Sequence, residues 1–325
     1  MAQVFAELAD GAFHSGEALA QTLGVSRSAV WKAVASLRTL GSELHAVRNR
    51  GYRLAHGSEP LDPEKIGERL SREVRKRVAR IDAAWSIEST NTALLARANP
   101  VNGTSEVLLA EHQTAGRGRR GRAWLAPPGG AICLSMSWTF GEVPQDLGAL
   151  GLVIGVCALR ALRVHGIDAV TLKWPNDLVI RERKLAGVLI DLRAESSGPA
   201  CVVIGIGVNL ALGAALLAQI AESGTAATDL ASAVQPVPRR NALAAALVNS
   251  CIGGLLEFEQ QGLKPFIEEW RSADALRGRS VDVRAVEGTI SRGFARGIDV
   301  HGALMVETPA GLKRFVSGDV TVRPA

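Results

Sequence analysis

The sequence is poor in aromatic residues. They make up 4% of the 325 residues, whereas hydrophobic residues make up 47%. This composition excludes a disordered chain and is typical of a globular protein packed mainly by Ala, Leu and Val. A chain of this length is expected to form two or three domains.

Cysteine and histidine are also scarce. Cys133, Cys157, Cys201 and Cys251 are far apart, form no Cys-x-x-Cys pair and lie in apolar contexts. This pattern excludes a disulfide framework and favours reduced core residues of a cytoplasmic protein, with one reactive thiol as the alternative. The six histidines show no metal-ligand spacing, so we expect no metal site built from protein side chains.

The chain shows no basic n-region of a secretory signal peptide in its first ten residues. The segment from Ser196 to Ala221 is uncharged and long enough to cross a bilayer, but Gly198-Pro199 and later glycines interrupt it. We interpret it as a buried strand from Cys201 to Ile206, a glycine loop and a short helix. The uncharged run Leu147 to Leu159 is too short to span and predicts a buried helix.

The formal net charge is +5 and the isoelectric point is about 9.3. A basic balance favours an anionic partner, but it does not choose among a nucleotide, DNA and an acidic protein.

The first 57 residues have the pattern of a winged helix-turn-helix. We expect a first helix over Val4 to Ala9, a second that Ser15 caps and that ends at Leu23, and a third that begins after Ser26. The apolar residues of the third helix recur at helical spacing and comprise Ala29, Val30, Ala33, Val34, Leu37 and Leu40.

A DNA-binding surface follows from this pattern. The outer face of the third helix and a basic hairpin tip hold the candidate contacts, namely Ser26, Arg27, Ser28, Trp31, Lys32, Arg48 and Arg50. The alternative is a small helical domain that binds protein.

The remaining chain changes character twice. The turn-rich linker Gly57 to Pro63 precedes a charged helix expected from Glu64 to about Arg72. The basic residues Arg75 to Arg77 and Arg80 suit either DNA contact or a solvated face. Residues 80 to 272 alternate strand-like runs with Ala/Leu helices, and five short strands beyond residue 276 predict a small β-barrel.

Seven consecutive residues, Gly116 to Arg122, are only glycine or arginine. Glycines let backbone amides approach phosphate oxygens, and each arginine offers a planar fork of donors. A nucleic-acid-binding tail is one interpretation. The position between two apolar strands, Val107 to Glu111 and Ala131 to Trp138, favours a loop that closes on a ligand at an enzyme sheet.

Five motifs occur in an order that resembles the biotin protein ligases. They are Glu88-Ser-Thr-Asn91, the Gly/Arg run, Lys173-Trp-Pro-Asn-Asp177, Arg183-Lys-Leu-Ala-Gly187 and Gly205-Ile-Gly-Val-Asn209. With its N-terminal segment, essentially the whole chain is similar to the bifunctional biotin ligase and biotin operon repressor family.

The resemblance implies an α+β, multidomain fold. It divides the chain into a winged helix-turn-helix at residues 1–60, a mixed-sheet, class II synthetase-like catalytic domain at 61–274, and an SH3-like β-barrel at 275–325.

The resemblance also implies a two-step reaction: biotin and ATP form biotinyl-5′-AMP, and biotin then passes to a lysine of biotin carboxyl carrier protein. Bringing a carboxylate against a polyphosphate requires cations and Mg²⁺. Lys184, Arg119 and Asp177 are the expected catalytic residues. A fixed carboxylate at Asp177 would orient the incoming amine and accept its proton.

Two ligand subsites follow from the same motifs. The expected biotin-binding residues are Ser89, Thr90, Asn91, Gln113, Gly116, Arg117, Gly118, Arg119, Lys184, Gly187 and Gly205. The expected ATP-binding residues are Arg117, Arg119, Arg122, Trp124, Lys173, Asn176, Asp177 and Asn209. Cys133 stands where relatives carry an aromatic residue.

The implied partners are the carrier protein, operator DNA and, when biotinyl-AMP is bound, a second copy of the chain; no membrane partner is expected. Three alternatives stay open. They are a lipoate ligase of related fold, a ligand-sensing repressor without ligase activity, and a nucleic-acid-modifying enzyme.

Overall fold

The N-terminal part of the computed structural model, which describes residues 1–193, 200–285, 289–316 and 320–324, is a winged helix-turn-helix. Its elements are α1 (Ala2–Leu8), α2 (Gly16–Leu23), α3 (Arg27–Thr39), β1 (Leu44–Val47) and β2 (Gly51–Leu54). The two predicted caps are present: Ser15 Oγ accepts from the Ala18 amide, and Ser26 Oγ accepts from the Ala29 amide. Strands β1 and β2 form an antiparallel wing.

The sequence prediction for this part needs two small corrections. Helix α1 begins at Ala2 and ends at Leu8, because Val4, Phe5 and Leu8 together face the core. Ala29 is exposed, since it lies in the first turn of α3, ahead of the buried stripe.

The segment after the linker forms two short helices, α4 (Pro63–Glu68) and α5 (Arg72–Arg77), so the prediction of one helix from Glu64 to Arg72 is wrong. Asp62 caps α4 and Ser71 caps α5. Because Ser71 provides a second N-cap only nine residues after Asp62, a new helix begins there and α4 does not continue.

A buried charge pair anchors the linker to the central sheet. The side chains of Arg240 and Glu111 are only 4% and 6% exposed, and Arg240 Nη1 lies 2.8 Å from Glu111 Oε2. Arg240 also donates to the Glu59 carbonyl, and the Leu61 amide donates to Glu111 Oε1. These hydrogen bonds hold the linker backbone at Glu59 and Leu61 against the central sheet.

The central sheet is mixed, as expected. Its order is β3-β4-β5-β9-β8-β7-β6, in which β3 and β4 are parallel and the other neighbours are antiparallel. The strands are β3 (Val78–Ile87), β4 (Ser105–Gln113), β5 (Ala131–Phe140), β6 (Thr171–Lys173), β7 (Asp177–Ile180), β8 (Arg183–Arg193) and β9 (Ala200–Asn209).

Strand β9 corrects the prediction for the uncharged segment. It continues to Asn209, so Gly205 and Gly207 belong to the strand and form no loop. Both glycines pair with β5 and β8, and their lack of side chains leaves room on the sheet face. The Gly198-Pro199 break lies outside the described residues.

The helices of this part are α6 (Thr90–Leu95), α7 (Leu150–Val164), α8 (Ala214–Glu222), α9 (Leu230–Ala233), α10 (Arg240–Gln261) and α11 (Ile267–Ser272). Helices α6, α7 and α10 pack against strands of the sheet. The run predicted over Leu147 to Leu159 is helical but extends to Val164, past Arg160, which pairs with Glu269 at 2.7 Å.

Within the described residues, two helical stretches, Leu147–Val164 and Arg240–Gln261, have the length and apolar composition of a membrane span. Most of each stretch is buried inside the protein, as in the core helices of many globular proteins.

The C-terminal part is a five-stranded antiparallel sheet of order β13-β12-β11-β10-β14. Its strands are β10 (Ser280–Ala285), β11 (Ile290–Ile298), β12 (Leu304–Thr308), β13 (Gly311–Phe315) and β14 (Val320–Pro324). This confirms the predicted small all-β unit. Trp174 Nε1 donates to the Gly302 carbonyl at 3.1 Å and joins this part to the central domain. The boundaries at residues 60 and 274 stay a prediction.

Candidate active site

One row of directly paired residues crosses six strands of the central sheet. Its members, in order, are Ala110, Cys133, Gly207, Gly187, Asp177 and Lys173. Paired residues of antiparallel strands share a face, so four small residues lead to a charged end. Cys133, Gly207 and Gly187 form the floor of a cavity, and the charged pair lies at its far side.

A cavity of about 960 Å³ lies over this floor. Every residue expected to bind biotin or ATP lines it, with the exception of Gly116. Gly116 has a structural role: its carbonyl accepts from the Trp124 amide, and a Cβ there would lie 2.5 Å from the Trp124 carbonyl oxygen. Gly116 therefore lets the backbone at Trp124, which lines the cavity, pack closely against the start of the Gly/Arg loop.

A polar network occupies one end of the cavity. Gln113 Oε1 accepts from the Thr90 amide at 2.8 Å and from Thr90 Oγ1 at 3.1 Å. Ser135 Oγ lies 2.7 Å from Thr90 Oγ1 and 2.5 Å from Asn91 Oδ1, and Asn91 Nδ2 donates to Asp191 at 2.9 Å. This end presents fixed donors and acceptors, which suit a small polar head group.

The Ser89-Thr90-Asn91 motif is both a helix cap and part of the cavity wall. Ser89 Oγ accepts from the Thr92 amide and starts α6, and all three residues are buried. A Cβ at Gly205 would lie 2.3 Å from Asn91 Oδ1, so the glycine makes room for this amide.

The Gly/Arg loop connects β4 to β5 and lies at the cavity. Arg117 pairs with Asp191 at 3.1 Å, and Arg119 Nη1 donates to Asn176 Oδ1 at 3.2 Å. The Gly118 amide donates to the Arg122 carbonyl at 2.7 Å. Burial lowers the pKa of Arg119, and Arg120 acts in the same direction. A neighbouring anion would relieve both effects.

The Lys173 to Asp177 box forms the turn between β6 and β7, with a cis bond between Trp174 and Pro175. Trp174 is 2% exposed and holds the turn against the core. Asn176 Nδ2 donates to the Val188 carbonyl at 2.6 Å. Asp177 Oδ1 lies 2.6 Å from Lys184 Nζ, an ion pair at angles outside those of a hydrogen bond.

Trp124 follows the loop, and its indole lies on the glycine floor. A Cβ at Gly207 would lie 2.4 Å from the indole, and the Lys184 ammonium is 5.6 Å from a ring centroid of Trp124. Burial raises the pKa of the neighbouring Cys133 thiol to about 12. All four cysteines are free and buried, as expected, and Cys133 has no thiolate character at neutral pH.

The Asn209 side chain holds the local backbone. Its Nδ2 donates to the Thr228 carbonyl at 3.0 Å, and the side chain is buried at the cavity edge. The predicted contact of Asn209 with adenine therefore has to use the oxygen of this amide.

Sequence reasoning missed Asp191, which holds both Asn91 and Arg117, and Ser135, which lies between Thr90 and Asn91. A carboxylate inside the apolar run Val188-Leu-Ile-Asp-Leu192 was the available signal for Asp191. Ser135 carried no comparable local signal.

The predicted DNA-binding residues lie on the surface of the N-terminal part. Ser26, Arg27, Ser28, Trp31, Lys32, Arg48 and Arg50 are all exposed, and Trp31 is 62% exposed. The Arg50 guanidinium stacks over the Phe13 ring at 4.3 Å. All seven predicted contact residues are therefore accessible to a partner.

Three family models match the chain. They are the biotin/lipoate A/B protein ligase family at residues 84–209, an HTH domain at 2–53, and the biotin protein ligase C terminal domain at 277–323.

Relatives and solved structures match over long stretches. The bifunctional ligase/repressor BirA of Salmonella typhimurium is 36% identical over 98% of this chain and 96% of its own length. The Escherichia coli protein of the same name is 35% identical, over 99% and 97%. A biotin protein ligase from Aquifex aeolicus in complex with biotin and ATP has a TM-score of 0.64 and 26% identity, over 76% of this chain and 100% of that one. This chain belongs to the family of bifunctional biotin ligase/repressors.

Proposed function

We propose that this protein activates biotin with ATP, transfers it to a lysine of biotin carboxyl carrier protein, and represses transcription from biotin operators. One observation carries the ligase part: a single cavity joins the polar network at Thr90 to the Lys184–Asp177 pair beneath the Gly/Arg loop.

In the first step, a biotin carboxylate oxygen attacks the α-phosphorus, and the bond from that phosphorus to the bridging oxygen of pyrophosphate breaks. The network of Thr90, Asn91, Gln113 and Ser135 holds the head group, with Ser89 and Gly205 at its edge. Arg117, Gly118 and Arg119 cover the carboxylate, and Lys184 contacts the phosphate oxygens. These cations offset the negative charge on the phosphoryl oxygens and on the leaving pyrophosphate.

The nucleotide lies toward β8 and β7 in this proposal. Arg122, Lys173 and Asn176 surround the phosphates, and Trp124 and Asn209 flank the adenine. In the second step, the acceptor amine attacks the acyl carbon and AMP leaves. Asp177 orients the amine and takes its proton.

Magnesium fits this site only as part of the nucleotide complex. Among the described residues, no group of three or more His, Cys, Asp or Glu side chains could hold a metal ion. Mg²⁺ commonly binds through one or two carboxylates and substrate phosphates. Asp177, already paired with Lys184, would be the carboxylate that holds such an ion, which would neutralise triphosphate charge when bound.

The repressor part rests on the exposed face of α3 and the wing. One helix-turn-helix offers few base contacts, so operator binding is proposed for a homodimer that forms when biotinyl-AMP is bound. The carrier protein consumes the adenylate and thereby relieves repression. We place this activity in the cytoplasm, where ATP and DNA are both available.

Mass spectrometry after incubation with ATP, biotin and a carrier domain tests the ligase. We expect the carrier to gain one biotin at one lysine, and lipoate to give no product. An unmodified carrier together with no ATP–pyrophosphate exchange would favour a sensing repressor without ligase activity, and transfer of lipoate would favour the related ligase.

A further inference from the structure

The turn that joins β7 to β8 is built from residues that suit it poorly. Arg181 has a φ of 48° and Glu182 a φ of 66°, and the flanking residues Ile180 and Arg183 are paired. Two-residue turns with both positions left-handed strongly prefer Asn-Gly or Asp-Gly. Side chains kept in a disfavoured conformation point to a use for those side chains.

Glu182 ties this turn to the C-terminal part. Its Oε1 accepts from Arg279 Nη2 at 2.5 Å, and Arg279 directly precedes β10. The contact holds the tip of the β7–β8 hairpin in place from outside the central domain.

The arginines on either side of Glu182 lie at the cavity. Arg181 and Arg183 are exposed and line it together with Lys184. The polar network at Thr90 reaches Asp191 near the end of β8, whereas Lys184, Arg183 and the β7–β8 turn lie at the beginning of that strand. A molecule that runs from the polar network past Lys184 therefore reaches these arginines last.

We propose that Arg181 and Arg183 bind the β- and γ-phosphates of ATP and the pyrophosphate that leaves, with Glu182 as their positioning residue. The assignment rests on the proposed ligase function. When the bond from the α-phosphorus to the bridging oxygen breaks, the electron pair goes to pyrophosphate. Guanidinium groups beside that oxygen stabilise the added charge.

An acidic patch on the carrier is the competing ligand for two arginines. The phosphate assignment is favoured because both residues line the same cavity as Lys184. The two reaction steps separate these ligands, since pyrophosphate takes part only in the first and the carrier only in the second.

The experiment compares Arg183→Gln and the double variant Arg181→Asn, Glu182→Gly with the wild-type protein. Arg163→Gln, an exposed arginine at the end of α7, is the matched control. Each is assayed by biotin-dependent ATP–pyrophosphate exchange and by transfer from preformed biotinyl-AMP to the carrier.

We expect KM for ATP and for pyrophosphate to rise about tenfold or more for each lost arginine, because each loses a charge-assisted hydrogen bond. Transfer from preformed adenylate should stay within about twofold of wild type, as should both assays for the control. The double variant should unfold at or above the wild-type Tm, since Asn-Gly suits the turn.

Glu182 is tested by Glu182→Gln, Arg279→Ala and their combination. A positioning role predicts a raised KM for ATP with an unchanged rate of transfer from preformed adenylate, and a combined effect no larger than either alone. Unchanged KM values for ATP and pyrophosphate in an active background would overturn the proposal. A raised KM for carrier in the transfer assay would overturn it in favour of carrier docking. A wild-type protein without exchange activity would instead refute the ligase function itself.

Discussion

Lys184 Nζ lies 2.6 Å from Asp177 Oδ1, although the two residues are not paired across their strands. Asp177 is opposite Gly187 and Lys184 is opposite Val179, and the register shifts between Leu178 and Val179. A β-bulge of this kind re-aims a side chain, and here it brings the ammonium over the cavity floor. The parallel bridge from Lys184 to Ala227 holds the same backbone from the other side.

We expect Lys184→Ala to abolish adenylate formation nearly completely, with a loss of about a hundredfold to a thousandfold, because it removes a cation from the reacting phosphate. ATP–pyrophosphate exchange measures the loss, and the melting curve should stay normal. Near-normal exchange would show that Lys184 has no catalytic role.

Asp177→Asn should slow transfer from preformed adenylate more than it slows exchange.

Trypsin should cut the ligand-free protein between Gly116 and Arg122, and biotinyl-AMP should protect it. One contact that holds the loop, Arg117 to Asp191, is partly exposed to solvent, with side chains 44% and 26% exposed, and a bound anion would add further contacts. Electrophoresis of timed digests gives the rates. Asp191→Asn should be cut faster in the absence of ligand. Equal rates with and without the adenylate would argue against closure.

A chain shortened to begin at Pro63 should lose operator binding and keep reduced adenylate formation. Removal of Glu59 and Leu61 takes hydrogen-bond partners from the buried Arg240–Glu111 pair. Loss of partners around a buried charge pair is destabilising by roughly 1–3 kcal/mol. A chain that begins at Gly57 keeps these contacts and should melt at a higher temperature than the shorter one. Retention of sequence-specific DNA binding by either chain would contradict the helix-turn-helix assignment.

Asp274→Asn should stabilise the protein at pH 8 but not at pH 4. Burial raises the pKa of Asp274 from 3.8 to about 6, so the folded state favours the neutral acid. Asp274 therefore contributes most to the free energy of unfolding below its unfolded-state pKa of 3.8, and this contribution is lost as pH rises through about 6. The shift corresponds to about 3 kcal/mol at most.

Asparagine keeps the acceptor for the Leu276 amide and has no charge to bury. Thermal unfolding of both proteins from pH 4 to 8 measures the effect of Asp274→Asn. A constant difference in Tm across this range would show that Asp274 is ionised in the folded state throughout.

Biotinyl-AMP should promote dimerisation, and dimerisation should tighten biotinyl-AMP binding by the same factor, because the coupling is reciprocal. Sedimentation with and without the adenylate, alongside operator titration, measures both sides. An adenylate that changes neither association nor DNA affinity would leave a ligase with an uncoupled DNA-binding domain.

Local sequence determined the parts of this protein that depend on neighbouring residues. Ser15 and Ser26 marked the starts of α2 and α3, because a cap needs only a side-chain oxygen beside the first turn. The glycine and arginine content of the 116–122 run predicted a loop that closes on a ligand, and the arginines Arg117, Arg119, Arg120 and Arg122 line the cavity. The biotin and nucleotide motifs pointed to the family through their order along the chain.

Only the tertiary structure decided which distant residues meet. The row from Ala110 to Lys173 combines six strands, so no local pattern reveals that Cys133, Gly207 and Gly187 form one floor. Asp191 holds Asn91 and Arg117 from positions 100 and 74 residues away. The Lys184–Asp177 contact requires a bulge whose position is set by pairing between strands. Side-chain chemistry is local in sequence, but the geometry that makes it a site comes from strand register and packing.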